Sequence, residues 1–254
     1  MKTVRLSLVF LLAFAFAGCV ELPTDEVDTL TVSAAADLRP AFEEIGAIFT
    51  ARAGVPVKFN FGSTGTLVQQ VLAGAPVDVL AAANTSDVER LADQGIILPD
   101  SVSVYAIGRL VLYSTKHADI AHVEDLARPG IERIAIANPD HAPYGVAARE
   151  TMRAAGIWNT VQDRLVLAEN AGQTFQFAET GNVDVALAPL SLSIGKEGST
   201  YLVPAEMHRP IVQALGIVAA TSHAAEARQF VDLVMGPEGR EILGDYGFQI
   251  PEEA

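Results

Sequence analysis

Short apolar runs rich in β-branched residues recur along the chain from Leu30, and stretches of helical periodicity separate them. The runs are "LTVSAAA", "VKFNF", "VDVLAAA", "LVLYS", "RIAIAN", "RLVLAE", "VDVALAPL", "YLVP" and "VQALGIVAAT". Strands that alternate with helices place successive strands side by side with helices over both faces, so the pattern predicts an α/β fold built on mostly parallel sheets. Half of the 254 residues are hydrophobic, enough for two modest lobes, each with its own core.

The helical stretches have legible ends. Leu38, Phe42, Ile45 and Phe49 form one apolar stripe that Gly54 stops, and Pro40 falls in the first turn, where its missing N–H costs little. Ser86-Asp87-Val88-Glu89 has capping-box spacing, with Val88 and Leu91 facing inward. A helix is expected from Pro143 to Gly156. Phe230, Val231 and Val234 make a stripe that Gly236-Pro237 halts, and a last helix carries Ile242, Leu243 and Tyr246.

The first nineteen residues differ in character. Lys2 and Arg5 precede an apolar run from Leu6 to Ala17, too short for a comfortable membrane span and suited to a secretory signal. Phe16-Ala17-Gly18-Cys19 resembles a bacterial lipobox, whose cysteine becomes a lipidated N-terminus. Cys19 is the only cysteine, so it has no intramolecular disulfide partner. An ordinary signal peptide with an incidental cysteine is the plainer alternative. The formal charge is −14, and loss of Lys2 and Arg5 takes it to −16, which excludes nucleic-acid binding through a basic face.

Three strand-to-helix turns share one chemistry. Gly62-Ser63-Thr64-Gly65 has two hydroxyls, two glycines and no charge; Ala35-Ala36-Asp37 is small and closes on an acid; Asn138 to Tyr144-Gly145 is stiffened by Pro139 and Pro143. Glu169-Asn170-Ala171-Gly172 is a fourth turn of the kind. In an open α/β sheet ligands sit beyond the carboxyl ends of strands, where unpaired N–H groups at helix starts favour anions. Each turn also reads simply as a capped helix start, and Asp37 reads first as an N-cap and second as a ligand contact. The five histidines have no metal-ligand spacing, so no direct metal-ion site and no cofactor are expected. No nucleophile elbow, phosphate loop or dinucleotide fingerprint occurs, so an enzyme is not expected.

Taken together, "LTVSAAADLRPAFEEI", "FNFGSTGTLVQQVLAGAPVDVLAAA", "YAIGRLVLYS", "NPDHAPYGVAARETM" and "GREILGDYGF" resemble the substrate-binding proteins of bacterial molybdate ABC transporters, from about Thr29 to Ile250. The resemblance implies a two-lobed periplasmic-binding fold of type II, with crossing strands as the hinge. Lobe 1 would be residues 30–108 plus 216–254 and lobe 2 residues 109–215, behind a signal at 1–18 and a tether at 19–29. It implies molybdate or tungstate held as an oxyanion at Ala36, Asp37, Ser63, Thr64, Tyr144 and Ala171. The implied partners are a membrane permease and, through Cys19, the membrane itself; the protein would act as a monomer in the periplasm or on the outer face of the cytoplasmic membrane. Asp37 stands where relatives carry Ser or Asn. Ala188 stands where some carry a tyrosine, and Tyr144 would have to supply that hydroxyl. Another oxyanion, a small organic acid, or a sensor or adhesin role are the alternatives.

Overall fold

The computed structural model describes residues 28–251. The signal-like segment 1–18, Cys19 and the tether up to residue 27 lie outside the described residues. The elements run β1 (Leu30–Ala35), α1 (Arg39–Ala53), β2 (Val57–Gly62), α2 (Thr64–Leu72), β3 (Val79–Ala82), α3 (Thr85–Asp93), β4 (Ser103–Gly108) and β5 (Leu110–Ser114). There follow β6 (Ile134–Ala137), α4 (Pro143–Ala154), α5 (Trp158–Val161), β7 (Leu165–Ala168), α6 (Ala171–Glu179), β8 (Val185–Pro189) and α7 (Leu190–Ser193). The chain ends with β9 (Ser199–Leu202), β10 (Ile211–Ile217), α8 (Ala224–Met235) and α9 (Pro237–Asp245).

Two five-stranded sheets have the same design, ordered β2-β1-β3-β10-β4 and β7-β6-β8-β5-β9. Three strands in each pair in parallel, β2-β1-β3 and β7-β6-β8. One strand in each runs against its neighbours: β10 against β3 and β4, β5 against β8 and β9. The reversed strands are the ones that carry the chain between the sheets. β5 enters the second sheet directly after β4 leaves the first, across Arg109, and β10 returns. All of β10 pairs in the first sheet, so the return falls before Ile211 and not at residue 216, the boundary that the resemblance implied.

Helices cover both faces of each sheet, as the alternating pattern requires. On one face of the first sheet α1 and α8 bury Phe42, Ile45, Phe49 and Phe230, with Phe230 edge-on to Phe42 and to Phe49 at centroid distances of 5.9 and 5.6 Å. On the other face α2 and α3 pack Leu67, Val68, Val71, Val88 and Leu91 against Leu80. In the second sheet α6 sets Phe175 and Ala178 against Val111, Tyr113 and Ala186, and Tyr113 closes that side by donating its hydroxyl to the carbonyl of Glu197.

Local differences from the sequence reading have simple causes. β4, "SVYAIG", is absent from the predicted strands because its four apolar residues do not alternate with polar ones and only Val104 and Ile107 are β-branched. The cap of α3 is Asn84, whose Oδ1 accepts from Asp87 N at 2.9 Å; Ser86, read as the start of a capping box, lies inside the helix. Asp37 is not an N-cap either. It sits within a 3-10 turn, Ala36–Leu38, whose N-cap is Ala35 and which has no side-chain cap.

Candidate functional site

The carboxyl ends of β1, β2 and β3 face those of β6 and β7 across the gap between the sheets. A small hollow lies there, lined by Ala35, Asp37, Gly62, Ser63, Thr64 and Ala83 from the first sheet's side and by Ala142, Pro143, Tyr144 and Ala171 from the second's. Five of the six residues implied as ligand contacts therefore meet. The sixth, Ala36, does not line the hollow: its Cβ lies 3.4 Å from the position a Cβ on Gly172 would take, it lines a neighbouring groove, and Ala35 lines the hollow instead.

Each wall is a helix start. Ser63 caps α2, its Oγ accepting from Thr66 N at 3.3 Å and donating to Thr66 Oγ1 at 2.8 Å. Thr64 Oγ1 accepts from Ala83 N at 2.9 Å, which ties the end of β3 to α2 and leaves the hydroxyl proton to be donated. Tyr144 lies in the first turn of α4, behind Pro143 at its start. Ala171 begins α6 behind Asn170, whose Oδ1 accepts from Gln173 N at 3.0 Å. The first N–H groups of a helix have no partner within it and concentrate positive charge, so three such ends around one hollow form a setting for an anion.

The two sides touch. Gly65 N donates to His141 O at 2.9 Å, and His141 Nδ1 lies 2.9 Å from Ser63 Oγ. A Cβ on Gly65 would lie 2.7 Å from that of His141 and 2.9 Å from its carbonyl oxygen, so only glycine allows this approach. Ser191 Oγ, from the second sheet's side, donates to Asp37 O at 2.7 Å. The closed hollow is tight: the volume open to the centre of a water-sized sphere is about 10 Å³, roughly what one water needs. Larger grooves flank it, one holding His141, Glu150 and Arg209 with residues from the starts of α2, α3 and α4, the other holding Arg39, Phe61 and Lys196, but neither includes Asp37, Ser63, Thr64, Tyr144 or Ala171.

Behind the hollow runs a buried polar chain that the sequence reading missed. Tyr105 donates its hydroxyl to Gln213 Oε1 at 2.7 Å, and Gln213 Nε2 donates to Asp37 Oδ2 at 2.6 Å and lies 3.4 Å from the Tyr144 hydroxyl. Asp37, Tyr105, Tyr144 and Gln213 are all at most 2% exposed. A lone glutamine in the apolar run "VQALGIV" was the available signal. The Tyr144 hydroxyl also fills the space beside Gly108, where a Cβ would lie 2.2 Å from it. Tyr144 is thus a packed, buried residue. Ala188 is buried in β8, opposite Val111, and offers no hydroxyl.

Burial raises the Asp37 carboxyl from its ordinary range to about 6, a rise held back by the hydrogen bond from Gln213 and then by the nearby Tyr144 hydroxyl. Tyr144 and Tyr105 are pushed well above the usual phenol range, first by burial and then by the Asp37 charge. No lysine, arginine or histidine lines the hollow. Among the described residues no three His, Cys, Asp or Glu side chains gather to hold a metal ion, and no helix is long and apolar enough to cross a membrane.

A family model described as bacterial extracellular solute-binding protein matches residues 30–249. Molybdate-binding protein ModA of Rhodobacter capsulatus is 36% identical over 240 residues, covering 93% of this chain and 94% of that one. The protein of the same name from Escherichia coli K12 is 28% identical, covering 94% and 95%. The structure of the Azotobacter vinelandii periplasmic molybdate-binding protein superposes with a TM-score of 0.84 at 32% identity, covering 88% of this chain and all of that one.

Proposed function

The chain belongs to the bacterial extracellular solute-binding proteins, and from that premise we propose that it captures molybdate or tungstate outside the cytoplasm and delivers it to the permease of an ABC importer. The relatives that cover nearly its whole length carry the molybdate-binding name, and the structural relative is periplasmic. The observation that supports the reading most is the convergence of Ser63, Thr64, Tyr144 and Ala171, from three helix starts and both sides of the gap, on one hollow free of cationic side chains.

The chemistry fits a dianion. An oxyanion leaving water loses its hydration shell, a large cost unless hydrogen bonds replace it. Hydroxyls and helix-start N–H groups supply charge-assisted bonds without a mobile cation. With a net charge near −16 after removal of the signal, long-range attraction is absent, and salt screens the repulsion beyond about 8 Å. Fixed local donors must do the binding. The small closed volume means that the ion enters with the lobes apart and that closure follows from contacts to both walls. Cavity size then separates molybdate from sulfate, because a donor ring set for the larger ion leaves bonds to the smaller one stretched, at about 1–3 kcal/mol for each buried bond left unmade.

We further assign Cys19 as the lipid anchor and the monomer as the working form, on the lipobox-like residues and the two-sided cleft complete within one chain. Protein purified without residues 1–18 is expected to gain about 2.7 kcal/mol of stability at a hundredfold molybdate excess over the dissociation constant, seen as a raised melting temperature. Stabilisation by sulfate or phosphate with none by molybdate or tungstate overturns the ligand assignment.

A further inference from the structure

Asp37 is out of place in an anion site. It lines the hollow beside Ser63, Thr64, Tyr144 and Ala171 and is 1% exposed. Its Oδ2 accepts from Gln213 Nε2, whereas its Oδ1 is buried with no hydrogen-bond partner. A buried carboxylate oxygen without a partner costs free energy that a ligand contact would recover.

Nothing around it supplies a countercharge. Gln213 approaches from β10, Tyr105 from β4 behind it, and Tyr144 from α4. Ser191 from α7 contacts only the main-chain carbonyl of Asp37. The starts of α2 and α6 bring Ser63, Thr64, Ala171 and Gly172, none of them charged. Farther along its own chain, Arg39 and Glu43 pair with each other at the surface. His141 turns its Nδ1 to Ser63. An ionised carboxylate in this hollow would face an oxyanion oxygen as like charge against like charge, whereas the acid form has an O–H to give.

We propose that Asp37 meets the oxyanion as a carboxylic acid, donating from Oδ1 to an oxyanion oxygen, so that each captured molybdate brings one proton into the cleft. The inference rests on the oxyanion reading of the hollow. The proton comes from solvent, stays on the carboxyl while the ion is bound, and returns to solvent when the lobes open. Burial already favours the acid form, and a dianion alongside favours it further. Capture becomes a proton-linked event that favours mildly acid surroundings. Asp37 would also separate oxyanions by their readiness to accept a hydrogen bond from a neutral acid.

The test is calorimetric titration of the chain lacking residues 1–18 with sodium molybdate between pH 6 and 8.5, in buffers of different ionisation enthalpy. Above pH 7 the expected result is uptake of close to one proton per molybdate and an affinity that falls about tenfold per pH unit, the slope of one linked proton. Asp37→Asn, which carries a fixed neutral donor, is expected to show neither uptake nor slope. If that variant does not fold, the proton count on the unaltered chain decides alone. Binding with no proton uptake and an affinity flat in pH overturns this proposal and leaves molybdate capture standing. No molybdate binding at any pH overturns the capture reading, and this inference with it.

Discussion

His223 shows what a single side chain can hold together. Its Nδ1 lies 3.1 Å from Asp78 Oδ1 and its Nε2 2.5 Å from Asp28, where the described chain begins. Asp78 in turn accepts from Thr31 N at 2.7 Å and from the Thr221 hydroxyl. The hydrogen bond to Asp78 raises the imidazole above its usual value; burial opposes it, and the Asp78 charge and then Asp28 add to the rise. A raised folded value means that the stabilisation is complete below the unfolded value of about 6.5 and is lost as pH climbs through the raised one. Melting temperature measured from pH 6 upward is therefore expected to carry a falling component that His223→Gln removes. An unchanged pH profile in that variant would show that the cluster does not couple to folding. The same scale shows where reading residues in order fails. Asp37 looked like a cap because an acid stood before a helix, yet the partner that claims its carboxylate, Gln213, is 176 positions away.

At the scale of elements, the site is a set of helix starts, and their caps are separable parts. Asn170 holds α6 by accepting from Gln173 N, and Ala171 presents its N–H only while that first turn is formed. Asn170→Ala is expected to cost about 1 kcal/mol in denaturant unfolding and to weaken molybdate binding, whereas Asn84→Ala, which uncaps α3, a helix none of whose own residues lines the hollow, is expected to cost a similar stability with binding retained. Equal losses of binding in both variants would contradict the role given to α6. Elements were the most legible level of the sequence. All nine apolar runs singled out became strands, and the helices from Arg39, Pro143 and Pro237 start where proline and the apolar stripes place them. The exceptions are instructive. β4 has too little apolar alternation to stand out, and it is a strand because β10 pairs along it. The return crossing at residue 216 was what the resemblance implied, and it divides the run "VQALGIV"; only the pairing of β10 with β3 and β4 shows that the strand belongs whole to the first sheet.

At the scale of the molecule, the two sheets repeat one plan, each with one reversed strand at which the chain enters it, and four sequence-distant turns end on a shared gap. That gap was legible as a set of turns with one chemistry, but not its depth, because the chain of Tyr105, Gln213, Asp37 and Tyr144 is assembled entirely by tertiary contact. Closure depends on close approach at Gly65. Gly65→Ala sets a methyl group against His141, and overpacking of this kind costs about 1–3 kcal/mol. The substitution is expected to weaken molybdate binding some five- to 150-fold while each lobe keeps its fold, and small-angle scattering with molybdate should find it less compact than the unaltered protein. Unchanged affinity would mean that the lobes close without that contact.

The most direct measurement is a crystal structure of the chain bound to tungstate, with the heavy atom located by its anomalous signal. The account predicts one strong peak between the two sheets, with oxyanion oxygens at hydrogen-bond distance from Ser63, Thr64, the Tyr144 and Ala171 N–H groups and Asp37. A peak in one of the flanking grooves, or an empty hollow in protein saturated with tungstate, would contradict it.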